Sequence, residues 1–260
     1  MMRQDEMAKA AELTDFHETL YRIDIDKDAE RDKSKINTNM YMIATSEQPL
    51  AVFHQDESLD KKDLPLKYAG YSNCFRREAG GHGKDTWGIF RVHQFEKVEQ
   101  FIVASPDESD KIQKEMMQIT EEFYQSLELP YRVVNIVSGG LNLAASQKFD
   151  LEAWFPNQKT YRELVSCSNC TDYQSNLLNI KIKPPTYNEL TKMKTKYVHL
   201  LNSTLCATTR TMCCWVENYQ TKKGVWVPKV LQPYMDNKDF LSFNDIIPET
   251  RTGNDKIKVA

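Results

Sequence analysis

Nowhere do the 260 residues string together the ~18 apolar side chains that a membrane-crossing helix needs, so a helical span is excluded. The opening "MMRQDEMAKAAEL" carries acids and lacks an apolar h-region, so no secretory signal is expected and the expected compartment is the cytoplasm. Net charge is small, −3, which argues against a chain-wide polyanion-binding surface and leaves room only for a local basic patch. No G-x-G-x-x-G opens a helix after a strand and no G-x-x-x-x-G-K-[ST] is present, which disfavours dinucleotide and P-loop sites. Cysteines are six: Cys74, Cys167, Cys170, Cys206, Cys213 and Cys214. "CSNC" (167–170) has zinc-knuckle spacing, but no second pair matches it and Cys213 and Cys214 are adjacent. The thiols are therefore read as buried or half-buried, not as a disulfide framework or a zinc site.

What is present is an ordinary globular balance, 40% apolar and 27% charged, in a chain long enough for one large domain or two small ones. Residues 2–22 read as a helix, with Met7, Ala10, Ala11 and Tyr21 near helical spacing. Residues 24–39 are apolar-poor and read as a surface loop. "YMIATSEQPLAVFHQDE" reads as a short strand entering a helix, with Pro49 in its first turn. "LPLKYAGYSNCFRREAG" and "WGIFRVHQFEKVEQFIVAS" read as a hairpin across Gly80-Gly81. Residues 105–129 read as a helix capped by Ser105 or Asp107, with Ile112, Met116, Ile119 and Phe123 on one face. "YRVVNIVS", "KFDLEAWFP" and "TYRELVSCSNC" read as strands, "NELTKMKTKYVHLL" as a helical insertion, and "STLCATTRTMCCWVENYQ" as one long helix. From 236 the periodicity fades, so residues 1–235 are taken as the domain and 236–260 as a peripheral tail. Antiparallel strands with helices on a face make the fold class α+β.

The hairpin poses a problem. Its runs are apolar enough to be buried yet hold Arg76, Arg77, Glu78, Arg91, Glu96, Lys97 and Glu99. Residues two apart on a strand share a face, ~7 Å apart. Thr45 and Glu47, Arg76 and Glu78, and Arg91, His93, Phe95, Lys97 and Glu99 are read as such sets. Guanidinium suits phosphate, an aromatic face suits a purine, and a carboxylate suits an ammonium or hydroxyl. The strip reads either as a site for an anionic nucleotide and a small amine or as a solvated face of weak ion pairs. Glu163 and Ser166 offer a carboxylate and a hydroxyl suited to Mg²⁺, but three apart they lie on opposite faces of a regular strand. Touching one ion requires a bulge or turn between them. Arg210, in an apolar, hydroxyl-rich helix, needs a partner, either an acid or a phosphate.

"FRREAGGHGKDTWGIFRVHQFEKVEQF" (75–101) resembles motif 2 of the class II aminoacyl-tRNA synthetases in their seryl form, and "LNSTLCATTRTMCCWVENYQ" resembles motif 3. "IATSEQP" resembles the serine-binding T-x-E loop, and "VVNIVSGGLNLAASQKFDLEAWFP" with "ELVSCSNCTDYQ" resembles the region between, in its eukaryotic cytosolic branch. Together they cover roughly residues 2–228 in the family's order. "KMKTK" (192–196) looks like the class I lysine loop, but the H-I-G-H element is absent, and the stretch is read as a charged helix face. The resemblance implies an antiparallel class II catalytic fold with ATP, Mg²⁺ and L-serine as ligands. It implies that Thr45, Glu47 and Glu99 hold serine, within a loop that includes Ser46, with Thr204 at the hydroxyl end and Asn202 shaping the pocket. Arg76 would bridge the serine carboxylate and the ATP α-phosphate. Phe95 would stack on adenine beside Glu78 and the backbone near Val92. Arg91 and Arg210 would hold the γ-phosphate, Glu163 and Ser166 would hold Mg²⁺, and Arg77, Leu164 and Val165 belong to the same ATP-binding set. No protein nucleophile is needed for adenylate formation, so the lack of a Ser-His-Asp or Cys-His arrangement fits.

The family's N-terminal tRNA-gripping helical hairpin and its motif 1 have no counterpart in this sequence, and "SNLLNIKIKPPTYNELTKMKTKYV" departs from the family's short turn. A homodimer and a serine tRNA partner are implied for the full-length form, with no membrane partner. The expectation is a serine–tRNA ligase catalytic domain. The rival readings are a non-charging paralogue kept for binding or regulation, and a ligase that activates serine for another acceptor such as a carrier protein.

Overall fold

The computed structural model describes residues 1–10, 16–23, 39–78, 88–184 and 196–246. The elements run β1 (Met2–Arg3), α1 (Gln4–Ala10), α2 (Phe16–Thr19), β2 (Arg22–Ile23), β3 (Met40–Tyr41), α3 (Glu47–Val52), β4 (Ser58–Leu59), β5 (Leu66–Phe75), β6 (Gln94–Ala104) and α4 (Ser109–Ser126). They continue with β7 (Tyr131–Asn135), β8 (Gln147–Phe155), β9 (Thr160–Asn169), α5 (Tyr173–Leu177), β10 (Lys181–Ile182), β11 (His199–Ala207), α6 (Thr208–Tyr219), β12 (Gly224–Trp226), β13 (Phe240–Ser242) and α7 (Phe243–Ile246). A six-stranded antiparallel sheet, ordered β5-β6-β11-β9-β8-β7, forms the centre.

Strand alternation divides the core between the two faces of this sheet. Ile102, Ala104, Leu151, Ala153, Val165, Cys167 and Leu201 face α4 and α6, which contribute Ile112, Met116, Met117, Tyr124 and Cys214. Phe101, Val103 and Leu200 face the other way, against Ala10, Ala51, Leu178 and Ile180. On that second face the odd positions of β6 change character along the strand. Phe101 and Val103 are core, whereas Lys97 and Glu99 are equally buried but charged, at 5% and 2% exposure. One half of the strand closes a core and the other half floors a polar site.

Several expectations are corrected. The N-terminal helix is broken into β1, α1, α2 and β2, because Arg3 and Ile23 pair with β3 instead of extending a helix. Thr45 and Glu47 do not lie on a strand; Ser46 starts α3, with Pro49 in its first turn as expected. The hairpin strands are shorter than read. β5 ends at Phe75 and β6 begins at Gln94, so Arg76, Glu78, Arg91 and His93 stand beyond the ladder, with Arg76 N donating to His93 O at 2.9 Å. Helix α4 begins at Ser109 after Glu108 and has no side-chain cap, so neither Ser105 nor Asp107 serves that role. Its inward stripe includes Gln113, Thr120 and Tyr124, while Ile119 is 48% exposed. Thr120 is held inside by bonds to Met116 O and from Gln100 Nε2, which offset its polarity. Residues 199–207, read within helices, form the central strand β11, and the helix starts only at Thr208. The fading region from 236 contains β13, which pairs with β12. The loop 24–38, the Gly80-Gly81 turn, most of "KMKTK" and residues 247–260 lie outside the described residues.

Candidate active site

The polar half of the sheet's second face carries a stepped set of groups. At its base, Lys97 Nζ contacts Glu99 Oε2 and donates to Thr204 Oγ1 at 3.3 Å, while Thr204 Oγ1 lies 3.3 Å from the same carboxylate oxygen. The register supports this cluster, since Thr204 pairs with Glu99 directly and an irregularity at Thr204/Cys206 then brings Ala207 opposite Lys97. Beside it stands Glu47, whose Oε1 accepts from Asn202 Nδ2 at 3.1 Å and from Gln174 Nε2 at 3.0 Å. Burial, reinforced by the nearby Glu99 charge, pushes the Glu47 carboxyl up to about 7, against weaker pulls from Gln174, Lys97 and Arg76. The floor thus holds two acids and one fixed cation, a balance that favours a second, incoming cation.

Thr45 Oγ1 accepts from Glu47 N at 3.2 Å and shapes the entry to α3. Ser46 points elsewhere, with its hydroxyl donating to Gly70 O at 3.4 Å on β5. Gly70 is required there, because a Cβ would sit 2.5 Å from Ser46 Oγ.

Above this floor opens a pocket lined by Arg76, Glu78, Phe90, Arg91, Val92, Phe95, Lys97, Glu163, Leu164, Thr204, Ala207, Thr209 and Arg210. Arg76 lies over the Phe95 ring at 5.3 Å and bonds Ala44 O at 3.4 Å. Arg91 Nη1 donates to Glu78 Oε2 at 2.6 Å, while its Nε is buried with no protein partner. Arg210 donates to Glu163 O at 2.9 Å and lies 4.7 Å from the centre of Phe90. Arg162 takes the same Phe90 ring at 4.7 Å. Desolvation lowers the Arg210 pKa, and Arg91, Arg76 and Arg162 lower it further against the raising effect of Glu163. Arg210 therefore answers the question of its partner with a carbonyl and an aromatic face, in a cluster of guanidiniums that repel one another. Arg77 does not line this pocket; its backbone N–H bonds Thr19 O at 2.9 Å.

The bulge that Glu163 and Ser166 required is present. Leu151 pairs with Val165 and Glu152 pairs with Glu163, so Leu164 is the extra residue on β9. The slip turns Glu163 and Ser166 to the same face of the sheet. Leu164 and Val165 are both buried in the opposite core, so of these two only Leu164 also reaches the pocket wall. Asp150, missing from the sequence-derived set, pairs with Ser166 in register. Burial, then the Glu163 charge, pushes its carboxyl up to about 6, with Lys148 and Ser166 pulling the other way. The oxygen set of Glu163, Ser166 and Asp150 suits a hard divalent cation. Cys167 and Cys170 diverge. Cys167 Sγ turns to Gln113 O at 3.8 Å, while Cys170 Sγ accepts from Asn202 at 3.5 Å. Burial pushes the Cys167 thiol up to about 12, so both behave as buried structural thiols.

Sequence reasoning missed Phe90, Arg162, Gln174, Asp150 and Thr209, and placed Lys97 on the strip without giving it a role in the site. Lys97 alone had a signal, its alternation with Phe95 and Glu99. The others come from elements whose pairing no local pattern reveals.

Residues 26–219 match the family model of the tRNA synthetase class II core domain (G, H, P, S and T). The chain belongs to this family. The fold just described is the class II catalytic fold, and relatives point to one branch of it. A cytoplasmic serine–tRNA ligase of Schizosaccharomyces pombe is 57% identical over 254 residues, 97% of this chain and 54% of that protein. Among solved structures, the cytoplasmic serine–tRNA ligase of Naegleria fowleri in complex with AMP is 53% identical with a TM-score of 0.82, over 93% of this chain and 53% of that one. The seryl-tRNA synthetase of Pyrococcus horikoshii complexed with ATP is 44% identical with a TM-score of 0.82, over 93% and 50%. This class II core thus spans about half the length of the curated relatives it matches. Among its described residues no helix is long and apolar enough to cross a membrane.

Proposed function

We propose that this chain is the catalytic core of a cytoplasmic serine–tRNA ligase. It activates L-serine with ATP to seryl-adenylate and pyrophosphate, and the terminal ribose of serine tRNA then takes the seryl group and releases AMP. The single observation that carries the reading is the vertical order of the site. A floor of Glu99, Thr204 and Asn202, buried, with the half-buried Glu47 beside them, lies beneath a wall of Arg76, Arg91 and Arg210, which fits an amino acid below a triphosphate.

In this reading the serine ammonium sits between Glu47 and Glu99, replacing the charge that two close acids lack. Its hydroxyl meets Thr204 and Glu99, which alanine would leave unpaired, a rejection of about 10⁴-fold for sites built this way. Arg76 holds the serine carboxylate against the α-phosphate, and Phe95 and Glu78 take the adenine. The carboxylate oxygen attacks the α-phosphorus in line while the bond to pyrophosphate breaks. Arg91 and Arg210 neutralise the departing phosphates, and the buried, unpartnered Arg91 Nε is a donor waiting for such an oxygen. Glu163 and Ser166, brought to one face by the Leu164 bulge, would hold Mg²⁺, which when bound supplies positive charge to the triphosphate. Assembly as a homodimer belongs to the same proposal.

Serine-dependent ATP–pyrophosphate exchange by this chain, with alanine and threonine as controls, tests the reading. Exchange with serine and at least 10³-fold less with alanine is expected. A folded chain that exchanges equally well with alanine, or that exchanges with none of the three, overturns it.

A further inference from the structure

One buried carboxylate beside Glu163 and Ser166 has no part in the reaction proposed above. Asp150 is 5% exposed, and its Oδ1 has no hydrogen-bond partner. Its other oxygen, Oδ2, has Lys148 Nζ at 3.6 Å, a distance at which an ion pair is weak. The Ser166 hydroxyl, directly opposite in the β8–β9 register, lies within hydrogen-bonding reach of the carboxylate. Glu163 is close enough for its charge to act on Asp150. An orphaned anionic oxygen in a closed position is costly, and next to a second carboxylate it is more so. A group of opposite charge arriving between them removes both costs.

We propose that Asp150 is a positioning residue of the divalent-cation site. One of its oxygens accepts the Ser166 hydroxyl proton and so turns that hydroxyl's lone pairs toward the cation, while Oδ1 accepts a hydrogen bond from a water on the cation. The arrangement extends the assignment of Glu163 and Ser166 as cation ligands and rests on that reading. A small divalent cation of the magnesium type keeps several waters and takes few protein ligands, so oxygens around the ligands carry much of its fixation.

The test uses Mn²⁺ as the probe, titrated into the intact chain with ATP and followed by loss of the free-ion electron paramagnetic resonance signal. Asp150→Asn keeps shape and removes charge. It is expected to weaken Mn²⁺ binding 10- to 100-fold, as outer-shell partners of metal ligands do. It should leave ATP binding measured in chelator unchanged. In a Ser166→Ala background the same change should lose most of its effect, which a merely structural role would not do. Affinity within twofold of the wild type for Asp150→Asn, alongside a clear loss for Glu163→Gln, overturns the role of Asp150 while the ligand assignment stands. No loss in Glu163→Gln either overturns both. Should the Asn variant not fold, a manganese anomalous map of the wild-type chain decides. A peak one water away from Asp150 Oδ1, with Ser166 Oγ at about 2.1 Å, supports the proposal, and a peak out of water-bridging reach of Oδ1 refutes it.

Discussion

Replacing Glu47 by Gln should make the empty protein more stable at alkaline pH. The Glu47 carboxyl is raised from its ordinary 4.5 to about 7, first by burial and then by Glu99. Between those values the folded chain holds a proton that the unfolded chain has lost. The Glu47 contribution to stability is therefore complete below pH 4.5 and declines as pH rises through about 7. The gap corresponds to roughly 3 kcal/mol, and because Glu47 keeps some exposure the expected loss is about 2 kcal/mol. The amide introduced by Glu47→Gln would still accept from Gln174 and Asn202 through its carbonyl oxygen, so the substitution removes the charge and keeps both bonds. Urea unfolding of both proteins from pH 4 to pH 9, without ligand, measures the difference. The variant should gain about 2 kcal/mol on the wild type between the ends of that range, with most of the change between about pH 4.5 and 7. Parallel stability curves for the two proteins would refute the argument, since they would mean that Glu47 titrates alike in both states.

Other outcomes follow from the same geometry. Arg76→Ala and Glu163→Ala should each abolish serine-dependent pyrophosphate exchange, while Cys167→Ser, turned into the core on the opposite face of the sheet, should change it little. Lys97→Met leaves Glu99 buried without its counter-charge and should cost about 3–5 kcal/mol in chemical unfolding. Gly70→Ala drives a methyl onto Ser46 and should cost about 1–3 kcal/mol; a melting temperature equal to wild type would contradict the close packing of β5 against α3. Serine binding calorimetry near pH 6 in buffers of different ionisation heat should report proton release, because an ammonium beside Glu47 favours its charged form; no buffer dependence would argue against that contact.

Much of this arrangement was readable in advance, and the failures have physical causes. The β5–β6 hairpin was legible because alternation and a Gly pair bounded it. Strand β11 was not, because its first residues, His199–Thr204, are buried or nearly so on both faces and show no alternation, and its Ser203-Thr204 looks like a helix cap. Arg91 and His93 were drawn onto a strand since sequence cannot show where a ladder stops; the backbone leaves it at Gln94. The Glu163–Ser166 spacing, by contrast, demanded an irregularity by parity alone, and the bulge stands at Leu164. Asp150 and Gln174 were invisible because what gives them meaning is the strand or helix opposite. Neighbours in sequence say nothing of that.

The Leu164 bulge lets β9 change its phase without changing its partners. Upstream and downstream of it the strand runs in opposite phase, like two rulers joined half a mark out of step. Taking one residue out at the joint would close it, leaving Glu163 and Ser166 two apart, still opposite Glu152 and Asp150 and still on one face. Taking a residue out of the middle of β9 elsewhere would keep the joint and turn one end of the strand over, sending polar groups toward α4 and leucine or valine toward the pocket. A lost residue is therefore absorbed at the bulge and nowhere else along the strand, and its spacing is a stricter specification than its composition.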